Sequence, residues 1–176
     1  MPDGHNSRMS MPENAARAFG ERPEVLAGWV QLNTAIKAGM DLRRYELATL
    51  AAARRLRSSY CSLVHGRVLI ESFGEPVREI ALDHRAAGLD EVDVAVMDFA
   101  ERVVDDAASI DEADHQRLRD LGLSDTDIMD VALAASARCF FSKALDAMGV
   151  LPDAELRELD PELQDVLVVG RPIAAT

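Results

Sequence analysis

Apolar side chains recur at every third or fourth position along most of this chain, the spacing that places them on one face of an α-helix. No stretch alternates apolar and polar residues as a half-buried strand would. Glycine or a polar N-capping residue separates the segments, with Asp41 as the cap of the second helix and Ser124-Asp125 opening the longest apolar segment. The predicted helices cover roughly 23–39, 42–53, 58–73, 75–88, 90–104, 109–121, 128–148 and 162–168. The pattern therefore predicts an all-α protein of about seven or eight helices.

The helical segments form one predicted domain over residues 13–160. With 176 residues, the chain can bury a core without the help of a disulfide or a metal. The preceding residues, 1–12, are polar and are expected to be disordered. Residues 161–176 form a tail in which one short helix is expected over 162–168. After it, Gly170 and Pro172 disfavour order.

A net charge of −12 argues against nucleic acid and anionic membranes as partners, because both attract clustered Lys and Arg. No apolar run approaches the roughly 18 residues that would span a membrane, and residues 1–10 lack the apolar segment of a signal peptide. Cys61 and Cys139 are too few for a disulfide scaffold. We therefore expect a reduced, cytoplasmic protein.

The segment around Cys61 carries the candidate chemistry. If Ser58 caps the helix that follows, Cys61 lies in the first turn, where free backbone N–H groups and the helix dipole favour the reactive thiolate. His65 lies four residues further on the same helical face and can exchange a proton with the thiol. Glu46, on the preceding helix, can orient the imidazole or relay its proton. The spacing alone also fits a core cysteine beside a packed histidine, so both interpretations stay open.

This segment resembles the core motif of the alkylhydroperoxidase D / carboxymuconolactone decarboxylase family. The motif reads E-x11-C-x2-C-x3-H, and Glu46, Cys61 and His65 occur at its spacings. Tyr60 directly precedes the cysteine, as in many members, whereas Ser58 occupies the place of the first cysteine. Further segments that resemble the family, including its peroxidase-related subgroup, are 23–26, 99–101, 121–125 and 140–149, so that the likeness covers about residues 20 to 155.

The resemblance implies an all-helical, AhpD-like fold that assembles as a homo-oligomer, either a trimer or a hexamer. It also implies an antioxidant peroxidase in which Cys61 attacks a small organic hydroperoxide. His65 and Glu46 would then move protons, and Tyr60 would shape the pocket.

The serine at position 58 changes what the resemblance implies for turnover. Without the neighbouring resolving thiol, a sulfenic acid on Cys61 would need an external thiol reductant or Cys139. Ser58 itself can be a helix cap or a catalytic hydroxyl. No cofactor and no metal are expected, since Glu46, Cys61 and His65 without a second Cys or His pair are a poor set of metal ligands.

Three functions stay open on the sequence. The first is a thiol-dependent peroxidase acting through Cys61. The second is cofactor-free acid–base chemistry like that of the lactone-decarboxylating relatives, in which Glu46 and His65 move a proton on a lactone-like acid and Cys61 is a bystander. The third is a non-catalytic, oligomeric small-molecule-binding protein. Trp29 and Asn33, on the first long helix, are interpreted as packing residues.

Overall fold

The structure, a computed structural model, describes residues 12–175. This part of the chain forms nine α-helices, two short 3-10 segments and no strand, which confirms the predicted all-α fold. The helices are α1 (Glu13–Ala18), α2 (Pro23–Gly39), α3 (Leu42–Arg55), α4 (Ser59–Phe73), α5 (Val77–Asp83), α6 (Glu91–Asp106), α7 (Glu112–Asp120), α8 (Asp125–Ala147) and α9 (Pro161–Leu167), and the 3-10 segments are Ala107–Ser109 and Ala154–Glu158. None of these helices is long and apolar enough to cross a membrane. Apart from Pro12, the segment 1–12 that is expected to be disordered lies outside the described residues.

Capping residues set helix ends where the sequence predicts them. Asp41 accepts a hydrogen bond from the Arg44 backbone N–H at 3.0 Å before α3, and Ser124 forms a capping box with Asp127 before α8. Gly74 ends α4 with a φ of 67°, a left-handed conformation that glycine adopts without strain. Helix α1 has only six residues, too few to produce a periodic signal, and the sequence pattern does not predict it.

Helix α3 is the central helix of the fold. All its residues over 45–53 are buried, and it packs against α4, α6 and α8. One apolar cluster joins α3 to α5, α6 and α9, whereas a second cluster lies between α1, α2, α4 and α8. The second cluster contains Trp29, Tyr60, Cys61 and Phe141. Two of the candidate functional residues, Tyr60 and Cys61, therefore lie in the second cluster, beside the main core.

The C-terminal tail packs against the domain. Helix α9 is the short helix that the sequence predicts there. The segment that follows is irregular but packed, contrary to the expectation that Gly170 and Pro172 disfavour order, because Ile173 is buried and Arg157 donates to its carbonyl oxygen. The Gly170 backbone N–H donates to Ser59 Oγ at 2.8 Å. A Cβ atom at position 170 would lie 2.1 Å from the Arg57 carbonyl oxygen, so this close approach requires glycine.

Candidate active site

Cys61 lies in the first turn of α4 and faces α8. Ser142 Oγ donates to its sulfur at 3.2 Å, and Arg138 Nη1 approaches the sulfur at 3.7 Å. The residue is 2% exposed. Its backbone N–H belongs to the first turn and has no intrahelical partner, and the helix dipole adds positive potential at this end. The sulfur therefore accepts a hydrogen bond from a hydroxyl and lies beside a guanidinium at the positive end of the α4 dipole.

Glu46 and His65 form a buried pair between α3 and α4. His65 Nδ1 lies 2.5 Å from Glu46 Oε2, and Lys37 Nζ lies 3.0 Å from Glu46 Oε1. Burial raises the pKa of Glu46, but the contacts with His65 and Lys37 outweigh it and lower that pKa below its ordinary value. Burial lowers the pKa of His65, with the positive charges of Arg138 and Lys37 adding to the effect and Glu46 opposing it. At neutral pH the pair is therefore a carboxylate beside a neutral imidazole.

Arg138 on α8 fixes the tautomer of that imidazole. Its Nη1 donates to His65 Nε2 at 3.1 Å, and its Nη2 donates to Asn33 Oδ1 at 3.3 Å. A guanidinium only donates, so Nε2 accepts and the imidazole proton resides on Nδ1. The guanidinium also lies 5.0 Å from the centroid of the Trp29 ring. Burial lowers the pKa of Arg138, but Cys61, Tyr45 and Glu46 together outweigh that effect and raise the pKa above its ordinary value.

Arg138 stands between the two residues that the sequence pairs directly. The same Nη1 atom reaches both Cys61 Sγ and His65 Nε2. The i, i+4 spacing does put Cys61 and His65 on one face of α4, but the imidazole bonds to the arginine instead of to the thiol. A proton can pass from the sulfur to His65 only when Arg138 gives up its contact with Nε2.

A cavity of about 300 Å³ opens beside these groups. Its size suits a small molecule. Helix α2 forms one wall, and the Lys37 side chain, 37% exposed, lies on the solvent side. The lining includes the polar residues Asn33, Lys37, Glu46, Cys61, His65 and Arg138 and the apolar residues Trp29, Val30, Val64, Val68 and Phe141.

Tyr60 and Ser58 have different places in this arrangement. Tyr60 lines the cavity, but its hydroxyl donates to Asp153 Oδ2 at 2.7 Å and accepts from the Ala15 backbone N–H at 3.2 Å. Burial and Asp153 raise the pKa of Tyr60, so its hydroxyl stays protonated. Because this hydroxyl contacts both Ala15 and Asp153, it holds α1 in place. Ser58 is at the N-cap position, yet its fully buried hydroxyl makes no capping hydrogen bond and lies outside the cavity.

Cys139 lies outside the cavity as well. It follows Arg138 on α8, and successive residues of a helix point about 100° apart, so its side chain faces a different direction. The thiol is free and half-buried, and burial raises its pKa. Within residues 12–175 no group of three or more His, Cys, Asp or Glu side chains could hold a metal ion.

Sequence reasoning missed several residues of the site. Arg138 and Ser142 come from α8, and Asn33 and Lys37 come from α2. Asn33 was interpreted as a packing residue, but its side-chain oxygen accepts hydrogen bonds at the cavity wall. One signal was available for Arg138: it is one of two cations within the longest apolar segment, and no acidic residue lies three or four positions from it, whereas Lys143 has Asp146 three positions away.

Comparison with known proteins agrees with the architecture. No family model matches the chain, and no curated protein matches it. Among solved structures it is similar to an uncharacterized peroxidase-related protein with an alkylhydroperoxidase AhpD core from Ralstonia eutropha, at 22% identity and a TM-score of 0.76 over 81% of this chain and 78% of the other. A peroxidase-related protein from a Silicibacter species has 24% identity and a TM-score of 0.75, over 80% and 76% of the two chains.

A third similar structure is that of a debrominase. It is a cysteine-to-alanine variant of the debrominase Bmp8 in complex with 2,3,4-tribromopyrrole, at 15% identity and a TM-score of 0.75 over 89% of this chain and 83% of the other. Likeness at these identities establishes the fold. The chain has the all-helical, AhpD-like fold that the motif implied.

Proposed function

We propose that the protein is a thiol-dependent, peroxidase-like oxidoreductase that reduces small organic hydroperoxides through Cys61. One observation carries the proposal: the Cys61 sulfur lines a small-molecule cavity and accepts hydrogen bonds from Ser142 and Arg138, beside the Glu46–His65 pair. The fold shared with peroxidase-related proteins supports it.

In the first half-reaction the Cys61 thiolate attacks the terminal oxygen of the hydroperoxide. An S–O bond forms as the O–O bond breaks, so the sulfur is oxidised to a sulfenic acid and the hydroperoxide leaves as an alkoxide. His65 takes the proton of the Cys61 thiol beforehand and then delivers it to the alkoxide, which departs as an alcohol. Glu46 stabilises the imidazolium between these steps. The entering substrate gives Arg138 a new acceptor and so releases His65 Nε2.

In the second half-reaction an external thiol reduces the sulfenic acid. The thiol displaces water to form a mixed disulfide with Cys61, and a second thiol then restores the free cysteine. Ser58 has no sulfur to contribute, and Cys139 lies outside the cavity. The cytoplasm, the location that the cysteine usage predicts, supplies such thiols.

Turnover of cumene hydroperoxide by the full-length protein with dithiothreitol tests this proposal. We expect the wild type and a Cys139→Ala variant to consume the peroxide at similar rates. A Cys61→Ala variant should consume none above the rate of the buffer. Equal consumption by the wild type and Cys61→Ala would overturn the proposal, and loss of activity in Cys139→Ala would identify Cys139 as the resolving thiol.

Cofactor-free acid–base chemistry on a lactone-like acid is the second candidate. The 2.5 Å contact between Glu46 and His65 favours it, because a carboxylate that orients a neutral imidazole makes that ring a competent base. This activity would survive Cys61→Ala and disappear in His65→Asn. Because a debrominase shares the fold, a brominated pyrrole belongs among the substrates tested. If the protein turns over none of these compounds, the third function remains, that of a non-catalytic small-molecule-binding protein.

We further propose that the protein is a homo-oligomer. Helix α8 carries an exposed apolar stripe, Met129, Leu133 and Phe140, which a second copy would cover. Light scattering coupled to size-exclusion chromatography should give a multiple of 19.2 kDa for the wild type and a smaller species for Leu133→Glu. Leu82→Glu, at a more exposed leucine on α5, is the control and should leave the mass unchanged. A monomeric wild type would contradict the proposal.

A further inference from the structure

The polar wall of the cavity has its acceptor atoms already engaged. The two carboxylate oxygens of Glu46 accept from Lys37 and His65. His65 Nε2 accepts from Arg138, and Asn33 Oδ1 accepts from Arg138 and from a tyrosine hydroxyl. A ligand that must donate hydrogen bonds meets occupied acceptors at each of these atoms.

Donors are in excess on the same wall. Arg138 has five N–H groups, of which three hydrogen-bond to described residues, namely Cys61, His65 and Asn33. Its buried Nε–H has no partner within residues 12–175. The Asn33 amide nitrogen likewise donates to no described group, and Lys37 uses one of its three donors on a carboxylate. Such a wall is complementary to a group that only accepts.

The charges of the wall favour an anion. Lys37 and Arg138 are cations, His65 is neutral, and Glu46 is the carboxylate that lines this part of the cavity. The Cys61 sulfur balances the second cation only as a thiolate. Once the sulfur is protonated or oxidised to sulfenic acid, one positive charge is left without a counterion, and a buried charge without a partner attracts an anionic ligand.

Apolar side chains line the rest of the cavity, and the Arg138 guanidinium lies over two of them, 5.0 Å from the Trp29 ring centroid and 5.5 Å from that of Phe141. Trp29 and Phe141 contribute aromatic rings, and Val64 and Val68 contribute aliphatic surface from α4. The volume of about 300 Å³ limits the ligand to a compact body. The cavity therefore combines cationic hydrogen-bond donors with adjoining apolar surface.

We infer that this cavity binds a small organic acid, whose carboxylate is held by Arg138, Lys37 and the Asn33 amide and whose apolar body packs against Trp29. The inference rests on the proposed function in one respect: it makes the substrate of Cys61 a hydroperoxide that itself carries a carboxylate. The binding of the acid does not depend on any reaction of the sulfur.

Calorimetric titration of the full-length protein with benzoate and with benzamide tests the inference. The two probes have nearly the same shape, but benzoate is an anion that only accepts, whereas benzamide is neutral and also donates. We expect benzoate to bind at least about tenfold more tightly. Equal binding of the two probes, or tighter binding of benzamide, would overturn the inference.

Variants identify the residues responsible for the preference. Arg138→Gln should abolish it, and Lys37→Gln, at a partly exposed position, should lower benzoate affinity roughly threefold. Arg117→Gln, at an exposed arginine on α7, is the matched control and should keep the wild-type preference. If Arg138→Gln does not fold, the wild-type preference and the Lys37→Gln variant still decide the matter. An unchanged preference in a folded Arg138→Gln variant would contradict the assignment of the carboxylate site.

The Cys61→Ala variant separates this inference from the proposed function. Without the sulfur's charge, it should bind benzoate at least as tightly as the wild type. A peroxide-reducing protein with no preference for benzoate would defeat the inference and leave the proposed function standing. A protein that reduces no peroxide but binds benzoate through Arg138 would defeat the proposed function and leave the inference standing.

Discussion

The ionic cluster between α3 and α6 differs from the one around Cys61 in how its charges are matched. Between α3 and α6, Arg43 pairs with both Asp93 and Glu75, and Arg44 pairs with Asp93 at 3.1 Å. Two guanidinium groups therefore face two carboxylates, and the arginine side chains reach solvent with about a third of their surface. Such a cluster stabilises the fold, since each charge has a partner and part of each cation stays hydrated.

Around Cys61 the cations outnumber the carboxylates. Lys37 and Arg138 contact one carboxylate, Glu46, directly or through His65. Arg138 is 4% exposed, and its described partners are a sulfur, an imidazole nitrogen and an amide oxygen. A buried cation without a carboxylate costs stability, so this cluster maintains positive charge at the cavity at the expense of the fold. The difference teaches that burial and charge alone do not mark a functional site; the unmatched charge does.

Removing the shared carboxylate of the matched cluster should have the largest effect on stability. Asp93→Asn leaves Arg43 and Arg44 without their common partner, and we expect the free energy of unfolding to fall by about 2–4 kcal/mol. Chemical denaturation measures the change. Asp106→Asn, at an exposed aspartate on the same helix, is the control and should change stability by less than about 0.5 kcal/mol. A loss in Asp93→Asn no greater than that of the control would break the comparison.

Removing the unmatched cation should affect reactivity more than stability. Arg138→Met replaces a buried charge by apolar volume, so we expect the free energy of unfolding to stay within about 1 kcal/mol of the wild type or to rise. The rate at which iodoacetamide alkylates Cys61 at neutral pH should fall about tenfold, because the sulfur loses a charged donor. Arg117→Met is the matched surface control. A stability loss as large as that of Asp93→Asn would show that Arg138 is a structural cation like Arg43.

The pH dependence of stability sharpens the comparison further. The pKa of His65 in the folded protein lies below its ordinary value of 6.5, so the unfolded chain takes up a proton first as the pH falls. Stability from this residue is therefore complete above pH 6.5 and declines toward the lower folded pKa. Between pH 6.5 and 5.5 we expect a loss of about 1 kcal/mol that is absent in His65→Asn. The same decline in both proteins would mean that His65 is not held neutral.

The parts of this site that the sequence predicts are local in the chain. Glu46, Cys61 and His65 fall within one helix pair, where cap positions and helical periodicity determine which side chains meet. The contacts of Arg138 with Cys61 and His65 span 77 and 73 residues, and they depend on how α8 packs against α4. No periodicity in the sequence encodes that packing, and the arginine's place between thiol and imidazole could not be predicted.

The helices also divide into those set by neighbouring residues, which the sequence predicts, and one that depends on distant contacts, which it does not predict. Asp41 and Ser124 set starts that the sequence predicts, because capping is decided by a few neighbouring residues. Helix α1 instead depends on contacts with distant residues: Asp153 accepts from the Asn14 backbone N–H at 2.8 Å, and the Tyr60 hydroxyl accepts from Ala15. Its six residues are too few to form a stable helix alone.

The two cysteines of the chain allow the central claim to be tested within one molecule. Full-length protein is treated with less than one equivalent of cumene hydroperoxide, trapped with dimedone and analysed by peptide mass spectrometry. We predict that Cys61 carries most of the label although it is the more buried thiol, because its sulfur lines the cavity and contacts Arg138 and Ser142, whereas Cys139 lies outside the cavity and burial raises its pKa. Label on Cys139 equal to or greater than that on Cys61 would contradict the account.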